Sequence, residues 1–383
     1  MAPLDSLRQP PDLTEDLLEE IFLRISSPAD LTRASTSCVS FRRLITDPTF
    51  LRQYRSLHPP LLLGFLDSWS PFVFQPAEAP HPNAPAARAL ATAADFSFNY
   101  LPPARWFSWS VYDVLDGLVL LSCKDHCGES VLPELVVCDP LSRRYLLLPP
   151  MPDDQVKGLN LTYWDVFLTP SADEDDEASY SVTTVVYCPT KSVVFVFNSG
   201  SDSWRVVTPS GWDILGLSGP EYPLLFCHCY AYGCFFWKAR SANKLVRLDK
   251  NMEFSAIDLP PAHDEHCNVV VEAGEGRLGL FCHIEDSTFL DYYTSMQSET
   301  QKTIEWQMKS KIPLPVHDLC IVRAPQGYIF LLSDPRVRET VQTTCFSLEI
   351  KTLKIEKVSQ MKFKSSYAFP YFGFPPSMSS RRI

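Results

Sequence analysis

The chain has 383 residues, 45% hydrophobic and 21% charged, a balance that supports a packed core and excludes wholesale disorder. Asp plus Glu number 45 against 34 Lys plus Arg, and the resulting net charge of −11 argues against a nucleic-acid or anionic-membrane binder, which needs a basic face. The longest uncharged apolar stretch, Tyr222 to Trp237, contains Pro223, His228 and Gly233 and falls short of the roughly 18 residues of a spanning helix.

Asp5 and Asp12 precede any apolar run, so the N-terminus reads as neither secretory signal nor transit peptide, and a cytoplasmic or nuclear protein is expected. In such a reducing compartment the twelve cysteines read as small buried apolar residues rather than disulfides. Proline is abundant at 33 and glycine scarce at 14, which favours many turns and a β-rich body over Gly-rich phosphate loops.

Leu13, Leu17, Leu18, Ile21, Phe22 and Ile25 recur at helical spacing, with Thr14 placed as the cap and Glu15 and Asp16 in the first turn. Ser27-Pro28-Ala29-Asp30 predicts a second helix starting at Pro28, with Leu31, Ala34, Ser35 and Cys38 on one face. Phe41, Leu44 and Ile45 continue a helical stripe. Asp47-Pro48 then caps a short helix carrying Phe50, Leu51 and Tyr54. A cluster of roughly 50 residues is at the lower limit of independent stability. Its paired Leu17 and Leu18, with Phe22 and Phe41, make an apolar sector wider than a small helical core consumes, so the cluster packs on the rest of the chain or on another protein.

Residues 13 to 50, LTEDLLEEIFLRISSPADLTRASTSCVSFRRLITDPTF, resemble the F-box. The matches fall on Leu13, Leu17, Leu18, Ile21, Phe22, Asp30, Leu31, Cys38, Arg42 and Leu44, and Asp47-Pro48-x-Phe50 is also family-like. Thr14, Ser37 and Phe41 stand where the family has proline, valine and tryptophan; Phe41 keeps an aromatic anchor without the indole donor. The resemblance implies binding to a Skp-type linker protein, and through it to a cullin, within an SCF ubiquitin ligase. The residues it assigns to the linker are Leu13, Leu17, Leu18, Ile21, Leu31, Cys38, Phe41 and Leu44.

The first sixty residues hold seven Lys plus Arg and eight Asp plus Glu, so the excess acid belongs to the remainder. His58-Pro59-Pro60 predicts a short stiff connection. Beyond it, β-branched and aromatic runs alternate with turns in triplets about fifty residues apart. GLVLLSC, ELVVCDP and RRYLLLPP form the first; SVTTVVYCP, SVVFVFNSGSD and SWRVVTP the second; YGCFFWKA, NKLVRLDKN and FSAIDLPP the third. GRLGLFCHI, STFLDYYTSM and TIEWQMKSKIPLP form the fourth, and GYIFLLSDP, TTCFSLEI and LKIEKVSQM the fifth. Repeats of this length are the signature of propeller blades. Residues 61 to 113, with LLLGFL, FVF, FSFNY and WSVYD, are expected to form one further blade, closed by the aromatic tail YAFPYFGF from Tyr367.

Neither a WD dipeptide nor a kelch double glycine is present. The body nevertheless resembles the kelch-like, F-box-associated β domains of plant F-box proteins, and SPADLTRAS, PAARALA and ELVVCDPLSRRYLLLPPMP look like a large grass family of that kind. The expected fold is therefore an α+β multidomain chain: a small all-α F-box module at 10–57, a linker at 58–60, an all-β propeller-like domain of about six blades at 61–374, and a tail at 375–383.

Gly274-Glu275-Gly276-Arg277-Leu278-Gly279 matches G-x-G-x-x-G, but LFCHI continues it as a strand, so a hairpin turn is expected rather than a dinucleotide site. His263, His266 and Cys267, Cys123, His126 and Cys127, and Cys227, His228 and Cys229 carry ligand-type side chains without the spacing of paired zinc knuckles, so no metal is expected. The run Asp173-Glu174-Asp175-Asp176-Glu177 reads as a solvated loop. No nucleophile or phosphate-site motif is present, so no catalytic residue and no cofactor is expected. The expected function is a non-catalytic substrate receptor that holds an unidentified protein target near the ligase. The alternatives are an F-box scaffold without ubiquitin transfer, and a propeller enzyme or small-ligand protein. The last needs polar residues converging on the central channel, a set the sequence alone does not display.

Overall fold

A computed structural model describes residues 13–58, 60–68, 72–103, 108–123, 132–161, 163–170, 180–201, 203–207, 211–217, 228–239, 242–260, 267–284, 287–297, 304–317, 319–333, 343–361 and 368–374. These fall into two compact units, one within 13–60 together with Phe374 and the other Leu61–Gly373.

The first unit is four short helices, α1 (Glu15–Leu23), α2 (Pro28–Ser37), α3 (Val39–Ile45) and α4 (Pro48–Leu57). Three starts are written in their caps. The Thr14 hydroxyl accepts from the Leu17 N–H, the Ser27 hydroxyl from the Asp30 N–H, and Asp47 Oδ1 from the Thr49 N–H at 2.8 Å, each satisfying a donor that the first helical turn leaves without a partner. Where α1 ends, α4 and the residue that caps it supply the missing donors: the Tyr54 hydroxyl donates to the Ile25 carbonyl at 2.8 Å, and the His58 ring lies 2.7 Å from the Leu23 carbonyl. Phe22, Leu23, Leu31, Leu44, Ile45, Phe50 and Tyr54 are buried together as the core.

The second unit opens with β1 (Leu61–Asp67), β2 (Phe74–Pro76) and helix α5 (Ala84–Ala93). Five four-stranded antiparallel sheets follow in chain order. The first holds β3 (Ser110–Leu115), β4 (Leu118–Cys123), β5 (Glu134–Asp139) and β6 (Arg144–Leu147), and the second β7 (Tyr163–Pro170), β8 (Tyr180–Tyr187), β9 (Ser192–Asn198) and β10 (Ser203–Val207). The third holds β11 (Cys229–Ala231), β12 (Cys234–Lys238), β13 (Lys244–Leu248) and β14 (Phe254–Asp258), and the fourth β15 (Cys267–Glu272), β16 (Leu278–His283), β17 (Phe289–Gln297) and β18 (Ile304–Pro313). The fifth holds β19 (Leu319–Arg323), β20 (Tyr328–Ser333), β21 (Thr343–Glu349) and β22 (Lys354–Met361). The final strand, β23 (Ala368–Gly373), returns to pair antiparallel with β1, from Leu61↔Gly373 to Asp67↔Ala368. The unit is a six-bladed all-β propeller in which the first strand of each four-stranded sheet and β23 line the channel.

Burial follows position in the blade. Strands β4 (LVLLSC), β16 (LGLFCH) and β23 (AFPYFG) are buried at every residue, whereas the outer strand β18 is mostly exposed. Outer-strand tryptophans fasten one blade to the one before: Trp204 Nε1 donates to the Pro149 carbonyl at 2.7 Å, and Trp306 Nε1 to the Asp258 carbonyl at 2.8 Å.

The five strand triplets read from the sequence are the second to fourth strands of the five four-stranded blades, and the aromatic tail does close the ring on β1. The reading of residues 61 to 113 as one blade is corrected. WSVYD supplies β3 of the following blade, PAARALA lies in α5, and FSFNY runs through turns. Each sheet also holds a first strand outside its triplet, and in four of the five that strand runs into a turn in which a non-glycine residue and a glycine both take positive φ: Asp116-Gly117, Tyr232-Gly233, Glu275-Gly276 and Gln326-Gly327. These are the turns whose twist suits a two-residue hairpin, and the glycine is what makes the second left-handed position accessible. Gly274 to Gly279 forms such a hairpin between β15 and β16, as expected.

Candidate functional site

Two places can carry function, one on each unit. On the helical unit, Leu17 and Ile21 lie four residues apart on one side of α1 and are 48% and 47% exposed, and Leu13, just before the Thr14 cap, is 55% exposed, so the core leaves these three apolar side chains uncovered. Cys38 and Val39, at the start of α3, are exposed as well. The other residues assigned to the linker face inward to different degrees. Leu18 and Phe41 are partly buried against the core, the Phe41 ring meeting that of Phe22 edge-on at 4.9 Å, and Leu31 and Leu44 are buried within it. The Cys38 Sγ caps α3 by accepting from the Phe41 N–H and contacts the Ser40 hydroxyl at 3.1 Å; these two hydrogen bonds, led by Ser40, hold its thiol below the usual range.

On the propeller, a cavity of about 540 Å³ occupies the channel at the end where the two-residue hairpins lie. That volume is in the usual range for small-molecule sites. Polar groups from four blades converge on it. Asp113 comes from β3, which bulges between Val111 and Asp113, and Arg323 from β19, which bulges between Ile321 and Arg323. Glu272 ends β15, and His228 stands immediately before β11.

Asp113 accepts from the Val114 N–H at 2.9 Å and from the Leu168 N–H at 2.8 Å, so this carboxylate of one inner strand holds the backbone of the next. Arg323 pairs with Asp113 at 3.8 Å and lies over the Phe369 ring at 3.9 Å, which joins β3, β19 and β23 through one guanidinium. Burial pushes the Asp113 carboxyl above the usual carboxylate range, against the opposing pull of His228 and Arg323 and of its two backbone donors.

His228 is fixed by Asp165 of β7, a carboxylate whose side chain is 1% exposed; Nδ1 lies 3.2 Å from Oδ2, and Oδ1 accepts from the Val166 N–H at 2.9 Å. The imidazole is 7% exposed and packs on Phe167, and its Nε2 has no hydrogen-bond partner among the described residues. At the rim, Glu272 accepts from the Tyr232 N–H at 2.7 Å, and the Gln326 amide donates to Asp116. Cys229 beside His228 is buried, which pushes its thiol up to about 11, so it is an inert wall rather than a nucleophile.

Sequence reasoning missed this convergence. Asp113, Asp165, His228, Glu272 and Arg323 are scattered over more than two hundred positions, and only the ring brings them together. The signal available was a charged residue inside or at the end of an apolar run, as in WDVFL or CIVR, where burial demands a partner.

Among the described residues no group of three His, Cys, Asp or Glu side chains is placed to hold a metal ion, and no helix is long and apolar enough to cross a membrane. His126, Cys127, Cys227, His263, Asp264, Glu265, His266 and the acidic run Asp173 to Glu177 lie outside the described residues.

No family model matches the chain, and no curated protein matches it. Solved structures similar to it include a streptogramin B lyase, at 10% identity over 70% of this chain and 87% of that one with a TM-score of 0.34. Another is the GH93 alpha-L-arabinofuranosidase of Fusarium graminearum, at 11% identity over 70% and 85% with a TM-score of 0.39. Prolyl oligopeptidase B from Galerina marginata is 11% identical over 78% of this chain, which spans 46% of that protein, with a TM-score of 0.31.

Proposed function

We propose that the chain is the substrate-recognition subunit of an SCF-type ubiquitin ligase, in which the helical unit binds a Skp-type linker and the propeller binds the target. The observation that carries this reading is the exposure of Leu17 and Ile21 on α1 and of Leu13 just before it, while Leu31, Leu44, Phe50 and Tyr54 complete the core without them. Each such side chain is about half exposed and so offers roughly 0.7–1.5 kcal/mol if a partner buries the rest. In this role the protein contributes no chemistry of its own. It raises the effective concentration of a target beside a conjugating enzyme held by the partners.

The test is co-purification of the full chain with a Skp-type linker, compared with a Leu17→Asp, Ile21→Asp double variant. Both positions are exposed, so the variant should keep its helicity and its unfolding midpoint while losing the linker. Retention of the linker by the folded double variant would refute the reading. The polar convergence in the channel favours a second reading, a propeller that binds a small ligand. A linker that fails to bind the wild-type chain while a ligand binds the channel would select it.

A further inference from the structure

We infer that the channel cavity is a binding site for a donor-only cation on an apolar stem, a guanidinium or ammonium group. The site is built rather than incidental. Its floor carries an imidazole more than nine-tenths buried, oriented through Nδ1 by a buried carboxylate, with Nε2 lacking any partner among the described residues. With Nδ1–H directed at Asp165, Nε2 is an acceptor whenever the ring is neutral.

The wall offers donors from Lys351, the Tyr230 hydroxyl and the Gln326 amide, and on the side of His228 and Glu272 its open capacity is acceptor in kind. Arg323 is engaged by Asp113 and by the face of Phe369, whereas Glu272, after accepting from the Tyr232 N–H, retains further lone pairs. Charge points the same way: Asp113, Asp116 and Glu272 on the wall and Asp165 behind His228 face two cations, Arg323 and Lys351. A guanidinium or ammonium is the group that supplies donors and accepts nothing. The aromatic and aliphatic wall of Phe235, Val271 and Phe372 suits the stem that carries it. Such a group comes either from a basic side chain displayed by a polypeptide or from a free amine or guanidine.

The site stands independently of linker binding; under the adaptor reading, a basic side chain would be the feature of the target that enters the channel. The test uses the full chain in isothermal titration calorimetry with three probes: the peptide acetyl-Gly-Gly-Arg-Gly-Gly-amide, its citrulline counterpart, and agmatine. The arginine peptide should bind at least about tenfold more tightly than the citrulline peptide, which has the same shape without the charge.

Glu272→Gln, which keeps an acceptor for the Tyr232 N–H, should weaken the arginine peptide by about fivefold or more without moving the unfolding midpoint. Raising the ionic strength from about 0.05 to 0.5 M should weaken it further. Agmatine binding as tightly as the peptide assigns the site to free guanidines, and binding of the peptide alone assigns it to polypeptide side chains. Absence of heat with all three probes up to about 5 mM, equal binding of the arginine and citrulline peptides, or indifference to Glu272→Gln would overturn the inference. None of these results touches co-purification with the linker, so the two proposals fail separately.

Discussion

Closure of the propeller ring rests on β23, and Tyr371 is the residue on which its strength can be measured. This side chain is 2% exposed. Its ring meets Phe74 edge-on at 5.6 Å and Phe96 at 5.3 Å, and its hydroxyl donates to the Gly117 carbonyl at 2.9 Å, at the tight turn that joins β3 to β4. The residue therefore ties the last strand to β2, to the turn after α5 and to the neighbouring blade at once. Tyr371→Phe removes only the hydroxyl and leaves the Gly117 carbonyl short of a donor, a loss of about 1–2 kcal/mol. Tyr371→Ala also removes the ring and opens a cavity among Phe74 and Phe96, for a total of about 3–5 kcal/mol. A domain with a net stability of about 5–15 kcal/mol survives the first change easily and the second narrowly. Equilibrium urea unfolding followed by tryptophan fluorescence should show both midpoints lowered, with the alanine variant losing at least about twice as much as the phenylalanine variant and the slope unchanged for phenylalanine. A Tyr371→Ala protein with the wild-type midpoint would mean that closure does not depend on this strand and would refute the packing argument.

In the helical unit, Leu31→Ala should cost about 2–5 kcal/mol, because Leu31 is buried in the core, whereas Leu17→Ala on the exposed side of α1 should cost well under about 1 kcal/mol; thermal unfolding of the two variants tests the separation of core from surface. Limiting iodoacetamide followed by mass spectrometry should modify Cys38 before Cys138, Cys282 and Cys345, since hydrogen bonds hold the exposed Cys38 thiol low while burial pushes the other three up. Earlier modification of any of those three would contradict their placement in the blades.

The helical unit was legible in the sequence because its information is local. Thr14, Ser27 and Asp47 sit where the caps lie, and each acts on a backbone donor two or three residues away. Buried strands were legible for a similar reason: LVLLSC and SVVFVF are short apolar runs bounded by turns, and no helix of useful length fits between those turns. Two of the innermost strands carry less of that signal. SVYDVL and LCIVR are only partly buried, because one side faces the channel, and they contain the charges that line it, so a pattern search for apolar runs passes over them. What marks them instead is the residue-glycine pair that follows, as at Asp116-Gly117 and Gln326-Gly327. The candidate site was hidden for the same physical reason. A strand that faces a channel must mix polar and apolar residues, and its polar residues gain meaning only from partners on other blades: Asp165 from His228, sixty-three positions away, and Asp113 from Arg323, at the far side of the chain. Local periodicity reports which side of a strand meets a core, and it cannot report which charges a closed ring will bring within 4 Å of one another. In a propeller, the residues most informative about ligand chemistry are thus the ones least visible to a reading of hydrophobic pattern.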